Sequence, residues 1–109
     1  MKNAKWVVVL DSELKHLLPQ FIEHRCQDLA LIRGSIARSD IAALKKLGHN
    51  VIGPSGAFGF EYLVQMGSEI ETAVADEDFN ALKEIADRYE YFMQNYHIVY
   101  RKPEAVAEF

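Results

Sequence analysis

DFNALKEIADRYEYFMQNYHIVY, Asp78 to Tyr100, carries the strongest periodic signal in the chain. Phe79, Leu82, Ala86, Tyr89, Met93, Tyr96 and Tyr100 alternate three and four residues apart, and Ile85, Phe92 and Val99 widen the stripe. That is the period of a helix burying one face, so the spacing predicts a single helix over 78–100, with Asp76 to Asp78 as the break and cap before it. Working toward the N-terminus, Phe60, Leu63, Gly67, Ile70 and Val74 repeat the pattern and predict a helix over 58–75. Ile41, Leu44, Leu47 and Val51 predict another over 40–52, capped by Ser39 or Asp40 and stopped before Gly53-Pro54. A helix over 19–38 opens at Pro19 and turns Phe21, Ile22, Cys26, Leu29, Ile32 and Ile36 inward, with Glu23, His24, Arg25, Gln27 and Asp28 on its wet side. A short helical stretch follows Asp11 and Ser12. Ahead of it, Trp6 to Leu10 (WVVVL) is β-branched, but no second run of that kind is evident to pair with it, so it reads as an extended arm packed on the helices. From Arg101 onward RKPEAVAEF has no face to bury and is expected to fray.

The expected architecture is all-α: an antiparallel up-down-up-down four-helix bundle with a short N-terminal arm and helix. The chain of 109 residues, half of them hydrophobic, fits a single domain over 1–109, with the bundle at about 11–100. A chain of this length buries roughly two-thirds of the surface its unfolded form exposes, so it needs neither disulfides nor metal to hold a core. The one cysteine, Cys26, cannot form an internal disulfide and suits a reducing compartment, here the cytoplasm. A net charge of −4 leaves no excess of Lys and Arg to neutralise a nucleic-acid backbone. No apolar run approaches the ~20 residues of a membrane span, and a soluble monomer is expected.

Chemistry concentrates in Gly48-His-Asn-Val-Ile-Gly-Pro-Ser-Gly-Ala-Phe-Gly-Phe60. On a helical wheel His49 lies roughly 120° from the apolar direction set by Ile41, Leu44, Leu47, Gly48, Val51 and Ile52, which turns it to solvent. Its neighbours on that face are Lys45 and Lys46 one turn before, Ala42 two turns before, and Ile52 and Gly53 one turn after. Ala42 and Gly53 leave the ring approachable by a flat protein surface, and the two lysines can hold an anionic group near it. Glycine inside a helix costs about 1 kcal/mol relative to Ala, so Gly53 either serves that approach or ends the helix before Pro54.

H-N-V-I-G-x-S-G-x-F-G-F-x-x-L from His49, with a helical pair ahead of it and a heptad helix behind, resembles the motif H-x-L-K-G-S-x-x-x-x-G-x-x-x-L of histidine-containing phosphotransfer (HPt) domains. The likeness spans about Val7 to Tyr100, and Leu18-Pro19-Gln20-Phe21-Ile22 resembles the family's opening. The resemblance implies that His49 accepts a phosphoryl group from, or gives one to, an aspartate on a receiver domain or a hybrid histidine kinase. It implies that Gly53 keeps the ring accessible. It also places Mg²⁺ and the catalytic groups on the partner, so this chain would be a cofactor-free phosphocarrier in a two-component phosphorelay and not an enzyme. Ile52 departs from the family's lysine three residues after the histidine, and Pro54 replaces a small polar residue. Lys45 and Lys46 are candidates to replace that lysine. The alternative is a binding module that docks a receiver or kinase with little or no transfer.

Other signals are weaker. His24 and Cys26 point about 200° apart on a helix and cannot share an ion, which leaves Cys26 as a core thiol. His16 and His97 lack the small neighbours of His49. Glu69, Glu71 and Asp76 read as a solvated face, since 69 and 71 diverge on a helix. Gly53, Gly56 and Gly59 lack the strand, lysine and Ser/Thr of a phosphate-binding loop.

Overall fold

The computed structural model describes residues 6–102. Strand β1 (Trp6–Asp11) leads through a short 3-10 helix (Ser12–Leu17) into four α-helices: α1 (Leu18–Ala37), α2 (Ile41–Ala57), α3 (Glu61–Ala75) and α4 (Phe79–Asn95). Strand β2 (Tyr96–Arg101) follows α4 without a break. The molecule is mostly helical, with the four helices packed on one another: α2 lies against α1 and α3, and α4 lies against α1 and α3.

The three helix joints share one design. Asp40, Phe60 and Asp78 each donate a backbone N–H, at 2.8 Å, to the carbonyl five residues back, on Ser35, Ser55 and Ala73. The residue before each takes a left-handed φ: 53° at Ser39, 78° at Gly59 and 49° at Glu77. This is the Schellman closure, which satisfies carbonyls the ending helix leaves free. Only Gly59 reaches that conformation without a Cβ penalty. Asp40 and Asp78 then cap the next helix, each accepting a backbone N–H at 3.0 Å, from Ala43 and Ala81.

Expectations about the two ends of the chain are corrected. The arm is a strand, and the last helix is shorter than its apolar stripe. Tyr96 to Arg101 leaves the helical path and pairs in parallel with Trp6 to Asp11, from Trp6↔Tyr96 to Asp11↔Arg101. Beyond Asn95 the sequence YHIVYR satisfies both periods, and the β-branched and aromatic residues favour the strand once WVVVLD lies alongside. Val8 and Leu10 are buried, while Val7 and Val9 are exposed. Arg101 is therefore not frayed: its Nη2 meets Asp11 Oδ1 at 2.9 Å. The rest of the expected tail, 103–109, lies outside the described residues.

The core runs through Ile32, Leu44, Val51, Leu63, Met66, Ile70, Leu82 and Tyr89 and ends in an aromatic cluster under the sheet. Trp6 stacks on Tyr62 at 4.9 Å and meets Phe92 edge-on at 5.2 Å, and Phe92 stacks on Tyr96 at 5.6 Å. Such ring pairs contribute about 0.5–1.5 kcal/mol each beyond their buried area, which ties the sheet to the helices. No helix among the described residues is long and apolar enough to cross a membrane.

Candidate functional site

The residues around His49 owe their placement to a close crossing of α2 and α3. A Cβ built on Gly48 would sit 2.8 Å from Ile70 Cγ2, and one on Gly67 would sit 2.7 Å from Ile52 Cγ1 and 2.9 Å from the Gly48 carbonyl oxygen. Two glycines facing each other let the helix backbones approach, so His49, next to Gly48, stands on the rim of a tightly fixed seam. Leu44, Gly48 and Val51 face the core, as the helical wheel requires. His49 points away from it, with 78% of its side chain exposed.

Its Nδ1 lies 3.6 Å from Glu71 Oε2 on α3. That separation is an electrostatic contact and too long for a hydrogen bond. It leaves Nε2 as the ring nitrogen turned away from the carboxylate. Glu71 was not legible as a partner, because the wheel of α3 shows only a solvated face. The signal that could have found it is the glycine pair: Glu71 lies one turn beyond Gly67, as His49 lies beside Gly48. Glu69, by contrast, turns to α4 and pairs with Arg88.

Helix α2 does not stop at Gly53. It continues through Pro54 to Ala57, so Gly53 is an interior glycine and not a terminator. A Cβ there would meet nothing within 4 Å. Pro54 follows directly, and a Cβ before a proline is disfavoured in a helix, so glycine eases α2 into Pro54 while the space outward stays open. Ala42, Lys45 and Lys46 are exposed. Ile52 is half-buried, its side chain leaning over Gly67.

On α1 the inward face differs from the expected one. Arg25 is buried, at 7% exposure, while Cys26 is exposed and not a core thiol. Hydropathy alone favours cysteine inside. The arginine is accommodated because its Nε donates to Asp28 Oδ2 at 2.8 Å and its guanidinium lies 5.1 Å from the centre of the Phe21 ring. Burial pushes the Asp28 carboxyl above its ordinary pKa, and the Arg25 charge offsets part of that rise. Tyr89, on α4, donates its hydroxyl to the Arg25 carbonyl at 3.0 Å, and burial holds its phenol well above the usual range.

Arg25, His49, Asn50, Ile52, Gly53, Pro54 and Glu71 line one surface crevice of about 780 Å³. Lys45 and Lys46 are not among its walls. Among the described residues no group of three or more His, Cys, Asp or Glu side chains is arranged to hold a metal ion. The chain matches no family model, no curated protein and no solved structure.

Proposed function

We propose that the protein is an HPt-like phosphocarrier in which His49 takes a phosphoryl group from an aspartyl phosphate of a receiver domain, or returns one to it. The observation that carries this reading is Gly53: a glycine inside an unbroken helix, one turn from a 78% exposed histidine, with open space where a side chain would stand. Beyond easing the helix into Pro54, the chain leaves the space at that glycine, which costs about 1 kcal/mol relative to Ala, unfilled. A flat partner surface approaching the ring would use it. Ala42, Gly53 and half-buried Ile52 then form the docking patch, and Lys45 and Lys46 flank it with positive charge.

In the transfer, the Nε2 lone pair of His49 attacks phosphorus, the bond from phosphorus to the aspartate oxygen breaks, and the carboxylate leaves with the electron pair. The imidazolium charge that develops is offset by Glu71 beside Nδ1. Positioning and Mg²⁺ come from the receiver, as the family resemblance implies.

The finer topology belongs to the same proposal: up-down-up-down passes of the four helices. It is supported by the seam contacts, where Ile52 meets Gly67 while the earlier His49 meets the later Glu71. Three-residue joints fit neighbouring antiparallel helices, and an even number of passes returns the chain to the end where β2 joins β1 in parallel. A monomer in the reducing cytoplasm, alongside receivers and hybrid kinases, completes the reading.

Incubating the chain with phosphorylated receiver domains tests it. Label stable to base and lost in acid should appear on the wild type and vanish in His49→Gln, while His16→Gln, His24→Gln and His97→Gln keep it. No label from any receiver, together with tight binding to one, would leave a docking module in place of a phosphocarrier.

A further inference from the structure

The crevice beside His49 contains a cation that the phosphocarrier reading does not use. Arg25 projects from α1 into the seam with α2, and it is the one arginine among the buried residues described. Its Nε–H donates to Asp28, and the buried Tyr89 hydroxyl lies beside the guanidinium. The side chain keeps 8% of its surface exposed and lines the crevice, and among the described residues Asp28 is the one carboxylate paired with it. A guanidinium held in place by a carboxylate, a ring and a phenol, and lining a crevice, is a prepared oxyanion site. Its planar fork fits two phosphoryl oxygens at once.

His49 and Gly53 line the same crevice. Ile52 is aliphatic and carries no charge, and its side chain leans over Gly67. Lys45 and Lys46 lie outside the crevice. We propose that Arg25 is the oxyanion-holding residue of this crevice, receiving through its terminal N–H groups the phosphoryl oxygens of the group carried by His49. The assignment rests on His49 as phosphoacceptor for its role in transfer, but not for anion binding itself.

Two measurements on the full chain test it. In the first, phosphoramidate labels His49 without any partner: Nε2 attacks phosphorus, the bond from phosphorus to nitrogen breaks, and ammonia leaves. Arg25→Gln should slow labelling by about tenfold or more, the loss expected for one charge-assisted contact, and Arg25→Lys should recover part of it. In the second, inorganic phosphate is titrated into the unlabelled wild type, and the Arg25 Nε–H and Nη–H resonances should shift. A purely structural Arg25 predicts resonances unmoved by phosphate, and that result overturns the proposal whatever the variants do. Labelling of Arg25→Gln at the wild-type rate overturns it equally. If phosphate moves the Arg25 signals but no donor labels His49, the anion site stands and the phosphoacceptor reading falls.

Discussion

Gly53 is where one substitution separates transfer from stability. In the interior of α2, Gly53→Gln gains helix propensity, about 0.5–1 kcal/mol, but sets a Cβ against the Pro54 ring, so the two effects oppose and the melting temperature should move little. The same side chain stands over the approach to His49, so transfer from a phosphorylated receiver should fall about tenfold or more while helicity by circular dichroism is unchanged. Equal transfer rates in the two proteins would mean that the partner reaches the ring from another side. Glu71 has a smaller effect. Its contact with Nδ1 is exposed and 3.6 Å long, and exposed pairs are worth about 0.2–1 kcal/mol, so Glu71→Ala should slow labelling by no more than about fivefold.

At the level of elements, the α2–α3 seam is the feature on which the site's geometry rests. Gly67→Leu would drive a side chain into Ile52 and the Gly48 backbone, and such overpacking costs typically about 1–3 kcal/mol. Urea unfolding should show that loss, and labelling of the folded fraction should fall with it, because His49 and Glu71 sit on opposite sides of the displaced seam. Asp78→Ala is the contrasting case: it removes the cap bond to Ala81 N–H, costs about 1 kcal/mol, and leaves labelling of folded protein intact. The inward faces of α2 and α3, the caps at Asp40 and Asp78 and the exposure of His49 were legible in the sequence, because apolar spacing and cap chemistry are local. What was not legible depends on contacts far apart in the chain. Tyr96 to Arg101 continues the heptad stripe of α4, and only the distant WVVVLD turns it into a strand. Arg25 reads as a surface residue until Asp28 and Phe21 show how its charge is accommodated, and Glu71 reads as one until the glycine crossing brings α3 beside His49.

For the whole molecule, the parallel pairing of the two strands clamps the ends of the described chain together, with the aromatic cluster beneath them joined to α3 and α4. The site lies on the α1–α2–α3 side of the body, where one exposed histidine, one open glycine and one buried arginine line a common crevice. The central claim is that this crevice presents a single ring nitrogen to a phosphoryl donor. The most direct measurement is two-dimensional ¹H–¹⁵N and ³¹P NMR of the labelled wild-type protein, which identifies both the modified residue and the ring atom bonded to phosphorus. One phosphohistidine is expected, at His49, with phosphorus on Nε2 and Nδ1 still facing Glu71. Phosphorus on Nδ1 of His49, or on His16, His24 or His97 instead, would contradict it.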